Sequence, residues 1–139
     1  MGSGHEIPAS LIRSCLLAEV PANTFHTATP SKAPWFSEYN VAAWLGFRYA
    51  ISGAIGILLE YTDQEGEHSI VVDECSAPEG LQLMLSGRVQ VTAIGRISRM
   101  TVRCCGIDNA GSVRVDELFV QRVEESAALL RRAKFASNF

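Results

Sequence analysis

Apolar and polar side chains take turns along much of this chain, with the period of two that marks strands. Over residues 44–51, Leu45, Phe47, Tyr49 and Ile51 share one face and Trp44, Gly46, Arg48 and Ala50 the other. Ser52-Gly53 then interrupts, and Ile55, Ile57, Leu59 and Tyr61 form a second alternating set. Residues 62–66 (Thr-Asp-Gln-Glu-Gly) have turn chemistry and 67–72 return as a third strand, which predicts a hairpin. Residues 76–80 read as a loop. Leu81, Leu83 and Leu85 open another strand; Gly87 interrupts it, and a bulge or corner is expected there before Val89 and Val91. Over 97–105, Met100, Val102 and Cys104 oppose Arg99, Thr101 and Arg103. A turn at 108–111 leads to a last strand over 112–123. Val113 and Val115 face one way and Leu118 and Val120 the other, so a bulge is expected near Asp116-Glu117.

The ends are less regular. Residues 1–6 (Met-Gly-Ser-Gly-His-Glu) look like a cloning remnant and stand outside the fold reasoning. Residues 11–20 fit either a strand or a short helix, and 21–40 read as an extended connection holding three prolines. Residues 124–135 predict a helix, acidic at its start and basic at its end as the helix dipole prefers. The expected organisation is a β-sandwich domain over 7–123, followed by a helix and tail over 124–139. Short strands separated by turns, without helices between them, predict an all-β fold of two antiparallel sheets.

Three passages resemble the galactose-binding-like jelly roll found in many carbohydrate-binding modules. They are residues 45–52, similar to an early core strand; the hairpin 57–66; and the closing strand 113–120, where an acidic pair precedes an apolar residue. The resemblance spans about 80 residues, mostly in core patterning. It implies a sandwich of jelly-roll type and a binding role. It transfers no ligand site.

Composition narrows the class further. The 139 residues are 47% hydrophobic and 19% charged, which is globular rather than disordered. A net charge of −3 gives no general attraction to nucleic acid, and no apolar run is long enough to cross a bilayer. The compartment stays open. The cysteines Cys15, Cys75, Cys104 and Cys105 lack metal-ligand spacing. They are expected to be reduced, the alternative being a disulfide from Cys15 or Cys75 to one of the adjacent pair.

Candidate chemistry is sparse. Sugar sites combine flat aromatic rings with planar polar groups. Trp35, Tyr39, Trp44 and Arg48 are therefore the candidate ligand-binding residues, with core capping by the aromatics as the alternative. The acidic set Glu60, Asp63, Glu65, Glu67, Asp73 and Glu74 reads as a solvated turn rather than a calcium site, and His26 and His68 as exposed or turn residues. The arginines of the second half read as a solvated outer face. No phosphate loop, zinc motif or nucleophile elbow is present, so no catalytic residue, metal or cofactor is expected. The expectation is a non-catalytic binding module for carbohydrate. The alternative is a structural or protein-interaction domain, oligomeric in one version.

Overall fold

The computed structural model describes residues 14–25, 34–51, 53–76, 78, 80–107 and 110–123. The predicted 124–135 helix and residues 1–6 lie outside that set. Strands run β1 (Ser14–Glu19), β2 (Trp35–Phe47), β3 (Ile55–Asp63), β4 (Gly66–Cys75), β5 (Gln82–Ala93), β6 (Arg99–Cys105) and β7 (Val113–Val123). A single helical turn, α1 (Ala22–Phe25), follows β1. All strand pairs are antiparallel, and they form a four-stranded sheet ordered β1-β6-β3-β4 and a three-stranded sheet ordered β5-β2-β7. The architecture is a two-sheet β-sandwich, and this strand order is compatible with a jelly roll.

One core fills the space between the sheets. Tyr39, Val41, Ala43 and Leu45 of β2 meet Ile57 and Leu59 of β3, with Met100 and Val102 of β6 in the same cluster. Each large apolar side chain so buried stabilises the fold by about 1.5–3 kcal/mol. The alternation expected for β3 and β6 holds, and residues 14–19 are a strand rather than a helix. A register shift opposite Trp44/Leu45 leaves Asp116 as the extra residue of β7, so the bulge stands where the parity change put it.

Four expectations are corrected. β2 begins at Trp35, inside the supposed connection, and ends at Phe47; Tyr49 is 69% exposed and continues no strand. No bulge occurs at Gly87, because Leu83, Leu85, Val89 and Val91 share one parity and the register with β2 is unbroken. Gly87 lies where β5 closes on β4, and a β-carbon there would collide with the Val72 carbonyl oxygen. The turn carboxylate Asp63 is not solvated: its side chain is 2% exposed. It accepts the N–H groups of Glu65 (2.8 Å) and Ile94 (2.9 Å), and His68 Nε2 lies 3.0 Å away. His68, in β4 rather than in a turn, stacks on Tyr61, whose hydroxyl donates to the Thr92 carbonyl at 2.8 Å. This clasp ties the β3–β4 hairpin to the β5–β6 connection.

Cys104 faces the core and Cys105 the outside, as adjacent strand residues must. Cys15 stands directly across from Cys104 in the β1–β6 ladder, and no disulfide joins the four cysteines. Burial pushes the Cys104 thiol up to about 12, with Cys15 and Cys105 nearby adding to the rise.

Asp63→Ala orphans two backbone donors and is expected to lower the unfolding free energy by about 2–3 kcal/mol in urea titrations. Burial pushes the Asp63 carboxyl up, but the bonds from Ile94, His68 and Glu65 outweigh it and hold it below the ordinary aspartate value. Its contribution is therefore complete above about pH 4 and lost as pH falls through the lowered folded value. The Asp63→Asn variant should lose less stability over that acid range than the native chain; equal slopes would refute the clasp. Iodoacetamide at pH 8 is expected to leave Cys15 and Cys104 unmodified in the folded chain and to label both after denaturation, read by peptide mass spectrometry.

Candidate functional site

The two outer faces of the sandwich differ in kind. On the four-stranded sheet, Glu60 gathers the hydroxyls of Ser69 (3.4 Å) and Thr101 (3.5 Å), and Arg103 donates to the hydroxyl and carbonyl of Ser14. Leu58 and Val71 on that face are buried. Its polar groups serve each other. The three-stranded sheet instead leaves large apolar side chains in the open.

Because β2 is the central strand of that sheet and its odd-numbered residues enter the core, its even-numbered residues face outward. Trp44 stands outward, flanked across the ladders by Met84 of β5 and Glu117 of β7. Trp44 is 39% exposed, Met84 48% and Phe119, beside Ala42, 43%. A depression of about 400 Å³ opens here, lined by Trp44, Gln82, Met84, Asp116 and Glu117. The β7 bulge lets two consecutive carboxylates border one hollow, where a regular strand would point them to opposite faces.

Arg114 pairs with one of these carboxylates. Its Nε donates to Asp116 Oδ1 at 2.5 Å and its Nη2 to Oδ2 at 3.2 Å, a two-point pairing. The hydrogen bond from Arg114, with its charge, holds the Asp116 carboxyl below the ordinary aspartate value. The guanidinium lies over Gly46: a β-carbon on that residue would sit 2.5 Å from Arg114 Nη2. Glycine leaves the space in which the arginine rests.

Beyond this guanidinium lies a second depression, of about 260 Å³, lined by Gly46, Phe47, Arg48, Ser112, Val113 and Arg114 among others. The backbone N–H of Arg48 donates to the Ser112 carbonyl at 3.2 Å, which fixes the chain where it leaves β2. The Arg48 side chain is exposed and has no hydrogen-bond or ion-pair partner among the described residues.

The four residues expected to bind ligand therefore divide. Trp44 and Arg48 border neighbouring hollows at one end of the sheet. Trp35 is half-buried against the core, its indole N–H donated to the Gly95 carbonyl at 2.7 Å. Tyr39 is 0% exposed and belongs to the core, where burial pushes its phenol pKa up. Sequence reading missed Gln82, Met84, Arg114 and Glu117, which only the β2–β5 and β2–β7 registers bring to Trp44. The outward glycine two residues after Trp44 was the one local signal. Among the described residues no group of three or more His, Cys, Asp or Glu could hold a metal ion.

Compared with known proteins, the chain matches no family model, no curated protein and no solved structure.

Gly46→Ala is expected to lift the Arg114 guanidinium off the sheet and weaken its pairing with Asp116. The Asp116 carboxyl should then rise toward the ordinary aspartate value in an NMR titration; an unmoved titration would show that the glycine does not seat the arginine.

Proposed function

We propose that this domain is a non-catalytic recognition module that binds carbohydrate over Trp44, on the outer face of the three-stranded sheet. The observation that carries the reading is the exposed indole at the floor of a hollow whose rim holds an amide, Gln82, and a carboxylate, Glu117. The apolar face of a sugar ring packs on an aromatic face, and the ring hydroxyls need planar donors and acceptors at its edge. Both kinds of group line this hollow. The strand order adds support from the fold, since it agrees with the jelly roll that the sequence passages resemble; membership in the galactose-binding-like group is part of the same proposal.

A second reading has its own support. Met84, Trp44 and Phe119 cross all three strands of one face, and contiguous exposed apolar side chains also mark protein contacts. Self-association through this face would bury Trp44 and compete with a sugar for it.

Glycan-array screening followed by calorimetric titration tests the first reading. Trp44→Ala is expected to weaken binding about tenfold or more, the ~1.4 kcal/mol scale of a lost aromatic contact, with the far-ultraviolet spectrum unchanged. Silence across neutral and acidic sugar classes would defeat it. A dimer in sedimentation velocity that Trp44→Ala dissociates would favour the second reading.

A further inference from the structure

We infer that the ligand is an acidic oligosaccharide whose carboxylate or sulfate is carried on a sugar near, but not on, the ring stacked over Trp44, and that Arg48 receives it. The inference deepens the carbohydrate reading and rests on it.

Charge is divided unequally between the two hollows. Asp116 and Glu117 line the Trp44 side. Arg114 cannot offset both, because its guanidinium is already engaged by Asp116 at two points. An anionic group on the stacked ring would face the Glu117 carboxylate with no cation left to answer it. A neutral ring suits that hollow.

At the second hollow the balance reverses. The second hollow is lined by Arg48 and Arg114, and none of its lining residues is acidic. Arg114 is neutralised by Asp116, whereas the exposed Arg48 guanidinium has no partner among the described residues. A guanidinium presents a rigid planar fork of donors that matches a carboxylate or sulfate at two points. An exposed arginine by itself is ordinary surface. This one borders a hollow lined also by Gly46, the next outward residue of β2 after Trp44.

The spacing fixes where the charge must sit. β2 runs on from Trp44 to Phe47 before Arg48 follows, and at the strand rise of about 3.3 Å per residue that run alone spans about 10 Å. That exceeds one sugar ring, so the anionic group belongs to a neighbouring sugar. The chain's net charge of −3 supplies no general pull on an acidic polymer, so discrimination is local to Arg48.

The test uses the full chain, labelled, on an array of uronate-bearing and sulfated glycans, each printed beside its carboxyl-reduced or desulfated counterpart. The native chain is expected to be retained at least about tenfold better on the acidic member of such pairs, a ~1.4 kcal/mol preference. Arg48→Gln, with its dichroism spectrum unchanged, should collapse that ratio toward one, and Trp44→Ala should abolish retention on both members. Whether the uronate or the sulfate pairs respond identifies the anion. Equal retention on both members, or a ratio that survives Arg48→Gln, overturns the inference while leaving sugar binding in place. No retention on any glycan overturns both together.

Discussion

The alternation along β2 is the constraint from which the rest of this molecule follows. As the central strand of the three-stranded sheet, β2 is hydrogen-bonded on both edges and can turn its side chains only inward or outward. Seating Tyr39, Val41, Ala43 and Leu45 in the core drives Trp44 and Gly46 to the outer face. A slip of one residue would bury the tryptophan and expose four apolar positions, so the placement of Trp44 is held by the whole core rather than by its own contacts. The β7 bulge acts on that frame. It keeps Leu118 and Val120 packed against the core and turns the Asp116-Glu117 pair toward the tryptophan.

Much of the frame was legible in the sequence where inward positions carry large apolar residues. Ile55, Ile57, Leu59 and Tyr61 announce β3, and the parity change between Val115 and Leu118 announces the bulge. The first half of β2 was hidden because Ser37 occupies one inward position and prolines precede it. Asp63 was misread for a different reason. A carboxylate in a turn looks the same whether water or backbone solvates it, and its Ile94 partner lies 31 residues away. Gly87 shows a third kind of opacity, since its role depends on a carbonyl of another strand.

The candidate site was legible only in its aromatic member. Trp35 and Trp44 are the same residue type, yet one lies against the core with its N–H satisfied by Gly95 and the other stands on the surface. The difference is parity, which composition does not contain. Arg114 reaches Gly46 through ladder register, from 68 residues further along the chain. Pairing between distant strands was the missing information. Trp44 and Arg48 were placed on one strand face, but β2 stops at Phe47 and the arginine on that face, over Gly46, is Arg114.

That substitution of one arginine for another changes the chemistry the site can offer. Had Arg48 continued β2, it would have stood on the outer face two pleats beyond Trp44, past Gly46. Instead the arginine on that face is Arg114, pinned over Gly46 by Asp116 in an internal pair at the sheet surface. Exposed pairs of this kind contribute little to stability, so its consequence is geometric. A hollow bordered by carboxylates and a hollow bordered by arginines line successive stretches of β2, at Trp44-Leu45 and at Gly46-Phe47. A ligand lying across both would meet opposite signs of charge at its two ends. An alternating pattern of neutral and acidic units can satisfy both, whereas a uniformly neutral chain leaves Arg48 unanswered and a uniformly acidic one meets Glu117.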